Sequence, residues 1–191
     1  MSKEYVVADF ACGNEMLLYH IHDKVEKYIA VDFSQPFITS ANRRMRNKRV
    51  ENAKFICSSI EEFCETHNDM FNVGFALDFS EHVYDNEWVD ILSKIHGTLK
   101  SGGTLYIHTP NKKFILEIMK ENDLIIKQFK EHVAVRDVRH NVNLLIQAGF
   151  SDITVKLLSH YNALRYLHIF SVVPFIGKYF KARIFITAKK I

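Results

Sequence analysis

Short apolar runs alternate along the chain with stretches in which apolar residues recur every three or four positions. The first pattern marks buried strands and the second marks amphipathic helices. Tyr5-Val-Val-Ala-Asp-Phe10 predicts a strand closed by a tight turn at Ala11-Cys12-Gly13-Asn14, and Glu15 to His22 predicts a helix. Tyr28 to Val31 is a second strand, ending at Asp32. Phe37, Ala41 and Met45 give the next helix a core face, with Ser34 as its N-cap and Pro36 in its first turn. Ala53 to Cys57 predicts a third strand, Ile60 to Thr66 a short helix and Asn72 to Leu77 a fourth strand. Trp88, Ile91, Leu92, Ile95 and Leu99 mark an amphipathic helix. Ser101-Gly-Gly103 then turns the chain into a fifth strand, Thr104 to His108. Val135, Val138, Val142, Leu145 and Ile146 are spaced as a helix that stops at Gly149. Ile153 to Leu158 and Arg183 to Ala188 are the last strands. Strands alternating with helices imply an α/β fold with a mainly parallel sheet and helices on both faces. Two segments break the alternation, at about 111–134 and 159–182.

Composition narrows the class. A chain of 191 residues, 48% hydrophobic and 25% charged, reads as a single domain over 1–191. A formal charge of +3 is too small to argue for nucleic acid, and no DNA partner is expected. The basic run Arg43 to Arg49 reads as a solvated helix face, with an anionic partner as the alternative. Cys12, Cys57 and Cys64 are odd in number and form no CxxC, so neither a disulfide framework nor a zinc knuckle is expected. Cys57 and Cys64 read as core, and Cys12 as a small filler of its turn. Free thiols suit a cytoplasmic location. Met1 to Asp9 lacks the apolar run of a signal peptide. The stretch Tyr166 to Gly177 is shorter than the ~20 apolar residues a membrane span needs.

Candidate chemistry collects at the carboxyl ends of the predicted strands, where open parallel sheets bind ligands. Asp9 and Gly13 end the first strand and Asp32 ends the second. A carboxylate there can accept hydrogen bonds from two ribose hydroxyls, and a glycine lets backbone approach a ligand. The dinucleotide fingerprint GxGxxG is absent, and an acid on the first strand would repel phosphate. A cationic cofactor carrying adenosine fits better.

Several segments, in order, carry a family resemblance. Val7-Ala-Asp-Phe-Ala-Cys-Gly-Asn14 resembles the first motif of class I S-adenosylmethionine-dependent methyltransferases, and Val31-Asp-Phe-Ser34 their acidic ribose motif. Phe55-Ile-Cys-Ser-Ser-Ile-Glu-Glu62 is similar to the adenine loop, and Phe79-Ser-Glu-His-Val83 to the segment after strand four. Leu99 to Asn111 and Ala148-Gly-Phe150 resemble the flanks of strands five and six. The likeness is greatest to the branch of ubiquinone-biosynthesis and sugar O-methyltransferases. It implies a Rossmann-like, seven-stranded, mostly parallel sheet with one late antiparallel strand. It also implies that Asp9 and the Ala11, Cys12 and Gly13 backbone face the methionine part of S-adenosyl-L-methionine. Asp32 would hold the ribose and Phe33 would cover the adenine. Ser59 and the Ile60 amide would meet the adenine edge, and Asp78 and Phe79 would line the pocket. Ala11 stands where the family has its first glycine, Glu15 where it has the third, and Ser59 where it often has Asp.

Methyl transfer to a hydroxyl calls for loss of a proton, usually to a base such as His. His82, after strand four, and His108, ending strand five, are candidates, and so is His132. His132 and His140 flank the start of the helix before strand six. Each also has a bland reading as a hydrogen-bonded wall residue. His20 with His22, and His160 with His168, have no carboxylate framework, and no metal is expected. The first strand starts near Tyr5, so the cover of the site is expected from 111–134 and 159–182. Phe114, Ile115, Ile118 and Met119 give the first of these an apolar helix face, and the second carries Tyr161, Phe170 and Phe175. The second is read as a lid whose apolar surface meets a lipid-like substrate, a membrane or a second subunit, against ordinary core packing. The expectation is O-methylation of a small molecule, such as a sugar, a polysaccharide precursor or a quinone-like compound. The alternatives are an N-, RNA- or protein-methyltransferase, or a non-catalytic partner subunit of the same fold. The expected location is cytoplasmic, with peripheral membrane contact as an extension.

Overall fold

The computed structural model describes residues 1–191 except 14–16, 123, 125–126, 128 and 161–162. Its strands are β1 (Val6–Phe10), β2 (Lys27–Asp32), β3 (Ala53–Cys57), β4 (Phe71–Leu77), β5 (Leu99–Pro110), β6 (Ser151–Leu158) and β7 (Arg183–Lys189). They form one sheet in the order β3-β2-β1-β4-β5-β7-β6. The first five pair in parallel, and β7 runs antiparallel to both β5 and β6. The helices are α1 (Leu18–Ile21), α2 (Gln35–Asn47), α3 (Ile60–Glu65), α4 (Asp85–Thr98), α5 (Ile115–Glu121) and α6 (Val138–Gln147).

Strand parity sorts the core into two faces. Ala8 and Phe10 face a cluster with Phe63, Trp88, Leu92 and Leu145, from α3, α4 and α6. Val7, Tyr28 and Phe55 face the other way, onto Leu18 of α1 and Ile38 and Ala41 of α2. The doubly covered sheet matches the expected fold. Strand order reverses between β1 and β4, which opens a crevice at their carboxyl ends.

Local departures have physical reasons. On α2 the core positions are Ile38 and Ala41, while Phe37, expected on that face, is exposed. Ser34 precedes α2, but its side chain makes no cap bond. Ser101-Gly-Gly103 lies inside β5 rather than before it, where pairing with β4 slips between Phe71 and Val73. Gly102 has φ +76° there, and a Cβ on Gly103 would meet the Lys100 carbonyl oxygen at 2.7 Å. Cys57, expected as core, is exposed at the end of edge strand β3, whereas Cys64 is buried. Burial pushes the Cys64 thiol up to about 12, which keeps it protonated.

The two odd segments are now defined in part. The first carries α5, whose deeply buried residue is the charged Glu117, 2.6 Å from Lys120 Nζ. The second winds as 3-10 turns over Ala163–Val172 and Gly177–Phe180. It exposes Tyr166, Ile169, Val172 and Phe175. Among the described residues, no helix is long and apolar enough to cross a membrane. Glu15 and Tyr161, both singled out from the sequence, lie outside the described residues.

Candidate functional site

The turn after β1 is built from two left-handed residues, Ala11 at φ +56° and Gly13 at φ +49°. This shape aims successive amides at the end of β2. Cys12 N–H donates to the Val31 carbonyl at 3.1 Å, and Gly13 N–H donates to Asp32 Oδ2 at 2.9 Å. Ser34 N–H donates to Asp32 Oδ1 at 2.8 Å. Asp32 is thereby fixed by backbone, and two of its roughly four lone-pair sites stay available.

A cavity of about 790 Å³ lies in front of these groups. It brings together Ala11, Gly13, Asp32 and Phe33 with Ser59, Ile60, Asp78, Phe79 and His82. Phe33 is 80% exposed beside it. Ser59 Oγ accepts the Glu62 N–H at 3.2 Å and caps α3, leaving one lone pair and its own hydrogen. The lining contains Glu61, Glu87 and Glu131 and, among the described residues, no Lys or Arg. Phe37 also lines it, a role hidden by its apparent membership of the core stripe.

Two of the expected cofactor residues stand outside that lining. Asp9 shares the parity of Val7, not of Phe10, so its side chain enters the α1/α2 face. It is buried, and Tyr28 Oη donates to its Oδ2. Burial pushes the Asp9 carboxyl up to about 7 against the pull of the Tyr28 bond, and the Asp32 charge adds to the rise. Cys12 packs against that same core.

A second cavity, about 420 Å³, adjoins the first and shares Asp78 and His82 with it. Both odd segments wall it, through Phe114, Glu117 and His132 from one and His160 and Leu164 from the other. His82 Nδ1 lies 2.9 Å from the Glu131 carbonyl oxygen, to which it can only donate, so Nε2 carries the lone pair. The His82 and His132 rings meet edge to face at 5.1 Å. Burial lowers the His132 pKa below the ordinary histidine value, and neighbouring His82 lowers it further. Glu81 is buried, which raises its carboxyl, partly offset by its backbone hydrogen bond and reinforced by Asp78. No metal was expected here, yet Glu81, His82 and His132 bring ligand atoms within 4.8 Å of one another.

His108 lines neither cavity. Its Nδ1 donates to Asp78 Oδ1 at 3.0 Å, and Arg183 Nη1 donates to that oxygen at 3.0 Å. Burial alone would raise the Asp78 carboxyl, but the His108 bond and the nearby cations lower it. His140 pairs with Asp85 at 2.8 Å.

Sequence reading missed Arg136, a buried clamp on the segment between β4 and α4. It donates to Asp85 Oδ1 at 2.7 Å, to the Ser80 carbonyl at 2.6 Å and to the Val83 carbonyl at 2.7 Å. A lone arginine at the edge of a helical pattern gives no signal of such partners. Glu117, Lys120 and Arg183 were missed for the same reason.

Residues 7–103 match the family described as a methyltransferase domain. No curated protein matches the sequence. Among solved structures, the chain is similar to an S-adenosylmethionine-dependent methyltransferase from Archaeoglobus fulgidus. That match has 16% identity and a TM-score of 0.75, and covers 97% of this chain and 86% of the other. It is similar to a geranyl diphosphate C-methyltransferase from Streptomyces coelicolor, solved with Mg2+, geranyl diphosphate and S-adenosyl-L-homocysteine. There the identity is 16% and the TM-score 0.71, over 100% of this chain and 74% of the other. The cyclase SpnF matches at 14% identity and a TM-score of 0.73, over 100% and 76%. At these identities the structural likeness speaks for the fold.

Proposed function

The chain belongs to the methyltransferase-domain family, and from that premise we propose that it is an S-adenosylmethionine-dependent enzyme that methylates a hydroxyl of a small molecule held in the second cavity. The carrying observation is that the acidic, aromatic-flanked cleft and the histidine-walled cavity meet at Asp78 and His82. The cleft suits a cationic sulfonium because acids line it and the described lining holds no Lys or Arg.

On this reading Asp32 offers its two open lone-pair sites to the ribose hydroxyls. Phe33 and Phe37 cover the adenine, and Ser59 and the Ile60 amide meet its edge. The Ala11 to Gly13 backbone, Asp78 and Phe79 border the methionine part. Bound S-adenosylmethionine supplies a methyl carbon that the acceptor oxygen takes in line, as the oxygen loses its proton and the C–S pair returns to sulfur. The protein contributes position and exclusion of water. His82 and His132 together activate the hydroxyl. Similar folds include a C-methyltransferase and a cyclase, so the choice of oxygen rests on this histidine pair. The basic, apolar face at 163–180, beside the second cavity, is read as a contact with an anionic membrane.

Calorimetry with S-adenosylmethionine and S-adenosylhomocysteine tests the first half. We expect saturable binding that Asp32→Ala weakens by about 100-fold, equal to about 2.7 kcal/mol. Failure to bind either compound sinks the reading. Transfer of a labelled methyl group to a panel of phenols, sugars and amines tests the second half. Label on nitrogen or carbon alone would refute the hydroxyl.

A further inference from the structure

We propose that Glu81, His82 and His132 form a divalent transition-metal site in the wall of the acceptor cavity. In its role this deepens the hydroxyl-transfer reading, but binding of the metal does not depend on that reading.

Each ligand is already prepared. His82 donates Nδ1–H to the Glu131 carbonyl at 2.9 Å, so Nε2 is left as a lone-pair donor. A metal-binding histidine commonly spends its other ring nitrogen in this way. Glu81 is 2% exposed, and Thr109 Oγ1 donates to its Oε2 at 3.2 Å. Ser80 Oγ donates in turn to Thr109 Oγ1 at 2.9 Å. That relay orients the carboxylate and leaves a buried acid that a cation would balance. His132 Nδ1 is buried without a hydrogen-bond partner among the described residues. An unmet buried polar atom is costly, and coordination would relieve it.

The spacing fits as well. The three ligand atoms lie within 4.8 Å of one another. Bonds of about 2.1 Å to one ion would draw them to roughly 3.0–3.5 Å, a movement within side-chain rotation. Two imidazoles and one carboxylate leave coordination positions open toward the cavity. Nitrogen donors favour zinc, iron, manganese or cobalt over magnesium, which prefers oxygen.

The open position would take the acceptor oxygen. The metal lowers the pKa of that hydroxyl, whose proton passes to water. The oxygen then bonds the methyl carbon as the C–S bond breaks and its electron pair returns to sulfur. The metal is unchanged. The ligands come from the turn after β4 and from the 111–134 segment, so the ion also staples that segment to the sheet.

The test needs neither cofactor nor acceptor. Protein stripped with a chelator is titrated with Zn2+, Mn2+ and Mg2+ by calorimetry, and with Co2+ by visible absorption. We expect one Zn2+ per chain, weaker Mg2+, and cobalt bands of nitrogen ligation. His82→Ala and His132→Ala should each weaken Zn2+ by roughly 100-fold, and the near-isosteric Glu81→Gln by at least about 10-fold. The His20→Ala/His22→Ala variant should bind as the parent does. Circular dichroism and urea unfolding of every variant check that it is folded. Absence of a saturable site, or Zn2+ binding unchanged by His132→Ala, overturns the proposal. Zn2+ binding without S-adenosylhomocysteine binding would keep the site and sink the transferase reading; the reverse would sink the site alone.

Discussion

Asp9 and Asp32 sit on adjacent strands, yet their surroundings give them opposite chemistry. Asp32 accepts two backbone amides and faces the cleft. Asp9 is enclosed with Tyr28, and burial pushes it up to about 7 from an unfolded value near 3.8. An acid whose folded pKa is raised contributes stability that is fully present below its unfolded pKa and is lost as pH rises through the folded pKa. The window therefore runs from about pH 4 to pH 7. Asp9→Asn keeps an acceptor for Tyr28 and removes the charge. It should match the parent at pH 4 and exceed it at pH 8 by about 2–4 kcal/mol in urea unfolding. Equal unfolding curves at both pH values would refute this. The two acids look alike in sequence, and only strand parity, Asp9 with Val7 rather than Phe10, separates them. Ala11 holds a left-handed backbone at φ +56°. Left-handed backbone costs a non-glycine about 1–2 kcal/mol, and glycine loses about 0.5–1 in entropy. Ala11→Gly should then raise stability by roughly 0.5–1 kcal/mol in the same assay.

At the level of elements, periodicity shows what packs and hides what reaches. The strand-helix alternation is visible because apolar side chains repeat with the period of their element. Arg136 has no period: its partners lie 51 to 56 residues away. The histidine-glutamate cluster also joins two distant segments, so spacing rules for metal ligands could not reveal it. Arg136 ties down the whole turn that presents Asp78, Glu81 and His82. Arg136→Met keeps the volume but leaves the Ser80 and Val83 carbonyls unmet. We expect a loss of about 2–5 kcal/mol. Arg136→Lys should recover only part of it, because a point donor cannot replace the fork. Urea unfolding of the three proteins checks both, and full stability of Arg136→Met would show that the clamp is idle.

For the molecule as a whole, the fold class and cleft edge were legible because sheet topology follows from alternation and ordered motifs. The local shapes of 111–134 and 159–182, the segments expected to cover the cleft, were not, since neither has a clean period. The outer face of the second segment now has a defined character. Phe175 is 94% exposed, Val172 83% and Ile169 72%. Apolar exposure of this kind marks a contact surface. Residues 159–182 carry Arg165, Lys178 and Lys181 and no acid. Each basic residue near an anionic bilayer contributes about 1 kcal/mol, and the apolar tips add their burial. The protein should therefore sediment with phosphatidylserine or phosphatidylglycerol vesicles, weakly with phosphatidylcholine, and less as salt rises. Val172→Ser with Phe175→Ser should abolish sedimentation. It should leave unfolding within about 0.5 kcal/mol of the parent, because exposed side chains contribute little to the core. Equal binding to neutral vesicles, or a face buried in a dimer seen by ultracentrifugation, would remove the membrane from the account.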